Sequence, residues 1–360
     1  MKKFVKIIAI LITLVMLMGV IASCESADSN QQATSGGEEA GGVEGGIAPL
    51  GNGKDIFKDP IKIAMVVFST MGIVNRIYEM ALAEQSLLYP NITVNIMDSQ
   101  YDPNRQISLI EEAVAQGYDA IFLEPMDLAA CVNAVAAAED AGIIVVSMNV
   151  GSPPTPHTLH IAGNDLAVGI QGAEELDKLT RGIPNRTAII LDVPAILKPT
   201  ARMGTGFEDW VKQNTDIEVL EVIGIDNFSA DNAQIAMRDM LTKYAPGDIT
   251  MVYCVSDDIA HGAINAIEQA GRTGDGIYIW GFMGYPHALE AIKAGKLSGT
   301  SFSDVYVQTS MMFYITLQNI ALGLNSRSGG YTSTPVVQVP NFAVTAENVD
   351  AIMGASRWYS

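Results

Sequence analysis

The chain has 360 residues, 49% of them hydrophobic, and carries 21 basic against 40 acidic side chains, a formal charge of −19. That balance argues against a nucleic-acid partner, because gripping a phosphate backbone takes clustered lysine and arginine. It bears on solubility rather than on fold.

The first element is a leader. Lys2, Lys3 and Lys6 precede the apolar run Ile7 to Ile21, and the small residues Ala22 and Ser23 follow. This three-part form is that of a secretory signal, and the run is short for a permanent membrane span. Ile21-Ala22-Ser23-Cys24 looks like a lipobox. Residues 1–23 are therefore expected to be removed and Cys24 acylated as the first mature residue; the competing reading is a plain transmembrane anchor with an incidental cysteine. Two or more acyl chains hold a protein stably to a membrane, so the location expected is extracytoplasmic and lipid-anchored. Without the three leader lysines, 18 basic residues face 40 acidic ones, a charge of −22.

Residues 24–59 are rich in Gly, Ser, Gln and Glu with little to bury, the composition of a flexible tether. Folded sequence is expected from Pro60. Strand-like runs then recur at IKIAMVV (61–67), ITVNIM (92–97), DAIFL (119–123) and IIVVSM (143–148), and again at TAIILD (187–192), EVLEVIGI (218–225), TMVYCV (250–255) and IYIWGF (277–282). Several are apolar on both alternating faces, as in a parallel sheet covered by helices on each side. The segments between them have helical spacing. Ile107, Ile110 and Val114 share a face before Gly117, and Ile259, Ala263, Ile267 and Ala270 share one before Gly271. Strand and helix alternate through two sets of four, which predicts an α/β fold of two doubly wound parallel-sheet lobes. Cys131 and Cys254 lie in apolar stretches and read as buried free thiols.

The block MDSQYDPNRQISLIEEAVAQGYDAIFLEPMD (97–127) is followed by AGIIVVSMN (141–149), HIAGND (160–165), GTGFEDW (204–210), SDDIAHGAINAIEQAG (256–271), WGFMG (280–284) and AIKAGKLSGTSFSD (291–304). In this order and spacing the chain resembles the periplasmic binding proteins of the ribose and galactose type, which feed ABC importers, from about Lys62 to Val344. The resemblance implies a type I periplasmic binding protein fold with a three-crossing hinge, placed near Gly163–Asp165, Ser303–Asp304 and Thr334–Pro335. Residues 60–163 with 304–335 would form one lobe, 164–303 with 336–345 the other, and 346–360 a tail. Cytoplasmic repressors of this fold carry an amino-terminal DNA-binding module; here a lipoprotein-like leader stands in that place.

Ligands of open α/β sheets bind beyond the carboxyl ends of the strands. The residues at those ends are Ser69, Thr70, Met71, Ile73, Asn149, Arg202, Phe228, Ser256, Asp257, Met283, Ser303 and Asp304. Ser69 or Thr70 would equally serve as a helix cap, as would Asp258 with Asp257 beside it. Arg202 would equally pair with Glu208. The resemblance places an aromatic near Phe228 for stacking on a sugar. In other places the sequence departs from sugar binders. Asn149-Val150 stands for their Asp-Arg pair, Met283 for an aspartate, Met71, Ile73 and Val74 for an asparagine and two aromatics, and Met203 for an arginine, with Arg202 displaced by one. The ligand expected is a sugar, sugar derivative or nucleoside-like molecule.

Catalysis is not expected. The sequence has no Gly-x-Ser-x-Gly elbow, Gly-rich phosphate loop or His-x-x-x-His pair. His157, His160, His261 and His287 lack neighbours at metal-ligand spacing, and adjacent Asp257 and Asp258 point apart. No cofactor or metal is implied. The expected role is a monomeric solute-capturing protein that partners an ABC permease; the alternative is a receptor that reports its ligand to a sensor kinase or chemoreceptor without import. Replacing Cys24 by alanine should yield a chain without acyl groups by mass spectrometry and release it from the membrane fraction. Acylated Cys24→Ala protein in the membranes would rule the lipobox out.

Overall fold

A computed structural model describes residues 53–149, 151–195, 197 and 201–356; the leader, Cys24, most of the tether and Val150 lie outside them. The apolar runs form strands of two sheets. In the first lobe these are β1 (Ile61–Val67), β2 (Ile92–Asp98), β3 (Ala120–Leu123) and β4 (Ile144–Met148), with a short β5 (Leu159–Ala162) after them. In the second they are β6 (Thr187–Asp192), β7 (Glu218–Gly224), β8 (Met251–Cys254) and β9 (Tyr278–Met283), followed by β10 (Gly299–Phe302). Two late strands, β11 (Val336–Gln338) and β12 (Phe342–Thr345), are divided between the lobes. The sheet orders are β11-β5-β4-β3-β1-β2 and β12-β10-β9-β8-β6-β7. All pairs are parallel except β12, which runs antiparallel to β10.

Helices cover both faces, which is why the strands are apolar on both. Ile63, Met65 and Val67 of β1 share a core with Ile77, Tyr78 and Ala81 of α1 (Ile73–Ser86). Ala64 and Val66 point the other way, into a core with Ile110 and Ala113 of α2 (Pro103–Ala115) and Val135 of α3 (Val132–Asp140). Asp102 caps α2 by accepting from the Asn104 and Arg105 amides, with Pro103 in the first turn, where a missing N–H costs nothing. The second lobe is covered by α4 (Asp165–Thr180), α5 (Met203–Asn214), α6 (Ala230–Lys243), α7 (Asp257–Gln269) and α8 (Pro286–Lys293). A Cβ on Gly169 would lie 2.0 Å from the Met203 carbonyl oxygen, so glycine there lets α4 press against α5. The chain then returns to the first lobe through α9 (Val305–Leu322) and ends its described part in α10 (Val349–Ala355). Cys131 and Cys254 are buried and free.

Three boundaries differ from the sequence expectation. The fold begins before Pro60: the Lys54 amide donates to the Ile320 carbonyl (3.2 Å), Asn91 Nδ2 donates to the Ile56 carbonyl (3.1 Å), and Phe57 stacks on Tyr89 with centroids 5.5 Å apart. The third crossing lies at Val339–Asn341 rather than Thr334–Pro335, because Val336–Gln338 pairs with His160–Ala162 in the first sheet before the chain reaches the second. Part of the expected tail is α10, tied to α8 by the Lys293–Asp350 ion pair at 2.9 Å. The first two crossings run through Gly163–Asn164 and Ser303–Asp304.

The return loop after α9 is held by one buried carboxylate. Glu139 accepts from the amides of Val145, Thr158 and Ser326 and from the hydroxyls of Thr158 and Ser326, at 2.7 to 3.0 Å. A glutamine there would set its amide nitrogen against buried donors. Glu139→Gln should lower stability by about 1–3 kcal/mol. A denaturation midpoint that drops with an unchanged slope is the expected reading, and an unmoved midpoint would show that the loop is held elsewhere.

Candidate functional site

Parallel strands all point their carboxyl ends one way, and in each lobe those ends face a common cleft. The cleft contains a cavity of about 160 Å³. From the first lobe it is lined by the β1–α1 loop with Phe68, Ser69, Met71 and Ile73, by Tyr101 after β2, Glu124 after β3 and Asn149 after β4. From the second come Asp165, Met203, Asn227 and Phe228, then Ser256 and Asp258 after β8, and Phe282, Met283 and Tyr285 around the end of β9. Gly163 and Ser303, on the first two crossings, also line it.

Of the twelve residues singled out from sequence, eight line the cavity: Ser69, Met71, Ile73, Asn149, Phe228, Ser256, Met283 and Ser303. The other four are placed elsewhere. Thr70 is exposed and its Oγ1 donates to Asp98 at 2.8 Å. Arg202 is exposed in front of α5. Asp304 caps α9, its carboxylate accepting from the Val307 amide at 3.0 Å. Asp257 is buried and fully occupied: it accepts from the Gly284 amide (2.6 Å), the Tyr285 amide (2.7 Å) and Thr300 Oγ1 (2.8 Å). Burial pushes its carboxyl up to about 7 against the pull of these donors. The cap of α7 is Ser256, whose Oγ accepts from the Ile259 amide, rather than Asp257 or Asp258. At α1 neither Ser69 nor Thr70 caps; the position falls on Gly72, whose φ of 136° is open to glycine.

Sequence reasoning passed over Glu124, Tyr78, Tyr101, Asp165 and Tyr285. Glu124 ends the apolar run of β3 immediately before Pro125, and a lone carboxyl closing a buried strand was the available signal. It is almost wholly buried. Its Oε1 accepts from Tyr78 Oη (3.1 Å) and Asn149 Nδ2 (2.7 Å), and Oε2 faces the Phe68 amide at 3.4 Å. Burial raises its pKa while those donors lower it. Burial, then Glu124, also drives the Tyr78 phenol well above its ordinary value, which keeps it a donor. On the other lobe, burial drives the Tyr285 phenol well above its ordinary value, with Asp258, Asp257 and Glu124 adding to it. Burial raises Asp165 to about 7, opposed by the Arg202 amide and charge. Asp258 is raised by burial and lowered by His287 and His261; His287 Nε2 lies 3.4 Å from it.

Backbone strain gathers here too. Tyr101, Asn149, Asn227, Phe228 and Met283 have φ of 56°, 66°, 57°, 51° and 109°. Non-glycine residues in this region are uncommon and collect at binding sites. Away from the cleft, His157 and His160 are buried around Ser147 Oγ at 2.7 and 2.8 Å, and burial lowers both, His160 to about 4. Among the described residues no group of three or more His, Cys, Asp or Glu is placed to hold a metal ion.

The family described as "Periplasmic binding protein domain" matches residues 78–323. This chain belongs to that family. It is similar to the xylitol-binding protein of Mycolicibacterium smegmatis (26% identical over 260 residues, 72% of this chain and 70% of that one) and to the ribose import binding protein of Bacillus subtilis (29% over 208 residues, 58% and 65%). Among solved structures it superposes on an ABC transporter solute binding protein of Bacillus halodurans with bound myo-inositol, with TM-score 0.71 and 24% identity over 82% of this chain and 98% of that one. The family is one of binding proteins, not enzymes, and the fold is the type I arrangement expected.

The turn carrying Met283 to Tyr285 depends on Asp257. A Cβ on Gly281 would come within 2.2 Å of Asp257 Oδ1, so the carboxylate is packed as well as bonded. Asp257→Asn should destabilise the fold by about 1–3 kcal/mol, because its amide nitrogen would face buried donors, and should weaken solute binding through the displaced turn. Thermal denaturation and calorimetry together check this; an unchanged melting temperature would show that the turn holds itself.

Proposed function

We propose that this protein captures a small sugar-like or polyol solute outside the cytoplasm, closes its two lobes over it, and hands it to an ABC permease while Cys24 keeps it at the membrane. One observation carries the reading: the cavity is lined from both lobes at the carboxyl ends of two parallel sheets, so a ligand touching both walls stabilises the closed form. The similarity to a xylitol-binding protein and a ribose import binding protein supports a polyhydroxylated ligand class. The lipobox-like sequence supports the anchor.

The walls refine the class. Met71, Ile73, Val74, Met203, Phe282 and Met283 are apolar where a pyranose presents hydroxyls. Each hydroxyl buried without a partner costs about 1–3 kcal/mol. Unsubstituted glucose, galactose and ribose should therefore bind weakly, and solutes with fewer or substituted hydroxyls better. A thermal-shift screen of sugars, polyols and nucleosides should find a ligand that adds about 2.7 kcal/mol at a hundred times its dissociation constant. With it, X-ray scattering should show a smaller radius of gyration, and Phe228→Ala should cost about tenfold in affinity, or 1.4 kcal/mol. Micromolar binding of free glucose, galactose or ribose would overturn the apolar-wall reading, and an unchanged radius with full affinity in Phe228→Ala would overturn capture by closure at this cleft.

A further inference from the structure

The charges in the cleft are one-sided. Among the described lining residues, Glu124, Asp165 and Asp258 carry carboxyls, and none is lysine, arginine or histidine. The three belong to different elements and both lobes: Glu124 follows β3, Asp165 opens α4 and Asp258 lies in the first turn of α7. They differ in their surroundings. Asp165 has the Arg202 charge beside it, and Asp258 has His287 and His261. Glu124 is the most deeply buried, and only neutral groups, Asn149, the Phe68 amide and Tyr78, act on it. Its Oε1 holds two good hydrogen bonds, whereas Oε2 faces only the long Phe68 contact. An ionised carboxylate accepts about four hydrogen bonds, so Glu124 retains room for a donor.

Lobe closure over a neutral solute would take Glu124 further out of water with no counter-charge, and a buried charge is costly unless paired. A cation on the ligand supplies the pair. The rings of Phe68, Tyr101, Phe228, Phe282 and Tyr285 line the same cavity, and a cation is attracted to aromatic faces within about 6 Å. On the reading that this cleft is the solute site, we propose that its ligand is a sugar-like or polyol molecule carrying a protonated amine, with Glu124 as the buried counter-ion and the aromatic rings flanking the charge. The preference for an amine over a hydroxyl then comes from Glu124 inside, helped by Asp258 on the opposite lobe.

Calorimetry on the purified mature chain in detergent at neutral pH tests this with three matched pairs: D-glucosamine and D-glucose, D-galactosamine and D-galactose, 1-amino-1-deoxysorbitol and sorbitol. The amine should bind at least tenfold tighter than its hydroxyl counterpart in one pair or more. Glu124→Gln should bring that ratio below threefold. Asp258→Asn, at a partly exposed site where folding is less at risk, should at least halve it. A neutral member that binds as tightly as its amine in every pair overturns the amine inference and leaves the polyol reading standing. Binding by no member of any pair overturns the amine inference, and the screen of sugars, polyols and nucleosides then decides the polyol reading separately. A ratio that persists in both variants overturns the assignment to these carboxyls.

Discussion

A parallel strand buried on both faces has no polar side to offer solvent, so the chain can place chemistry only where the strand ends. Here the sheets share that constraint and point their carboxyl ends at one another. The loops that follow β1, β2, β3, β7, β8 and β9 lead into the next helix and the loop after β4 leads into β5, and at several of them the turn is made by a side-chain-bearing residue at positive φ. Asn149 is a residue type that tolerates this region; Phe228 and Met283 are not. Such conformations cost about 1–3 kcal/mol each and persist only where neighbours over-determine them. At Met283 the neighbour is Asp257, whose carboxylate takes the next two amides.

Two buried carboxyls near the cleft thus have opposite jobs, and the length of their hydrogen bonds and their access to the cavity separate them. Asp257 meets three short hydrogen bonds from its own lobe and has no face toward the cavity. Glu124 is as buried, yet it lines the cavity, and one of its oxygens is weakly engaged. The same reasoning places Glu139 with the scaffold, since five donors from three separate segments converge on it. Burial alone does not mark a functional acid; unfinished hydrogen bonding at a cavity wall does.

Eight strands were legible because long runs such as IKIAMVV and TAIILD are apolar on both faces. Those missed from the alternation lack that signal for physical reasons. β10 reads GTSF, and its Thr300 and Ser301 are buried only because Asp257 and Trp280 Nε1 supply their partners. β11 and β12 are edge strands of three and four residues, too short for a period. Missing β11 moved the third crossing by about one strand length. At the site, the strand-end rule located the cavity loops but could not tell which residue of a Ser-Asp-Asp run would cap, pack or face the ligand. Ser256 caps and also lines, Asp257 packs, and Asp258 lines. Arg202 stood as the displaced counterpart of the arginine of sugar binders, whereas the neighbouring Met203 lines the cavity.

The closure proposed above would be confined by how the crossings are built. Gly163 lies so close to Asn341 that a Cβ would come within 2.7 Å of its Nδ2, and the Val339 amide donates to the Ala162 carbonyl at 3.0 Å. The first and third crossings are therefore side by side and bonded up to the point where the sheets part. The second is tethered on its own, by the Ser303 amide donating to the Met283 carbonyl at 3.2 Å and by Asp304 capping α9. Rotation of one lobe on the other must then be absorbed by a few residues between these fixed points, the hinge class of closure rather than sliding of packed helices. Gly163 and Ser303 stand at that pivot and also line the cavity. In the proposed closure, a ligand that reached them would touch the crossings themselves as well as the two walls.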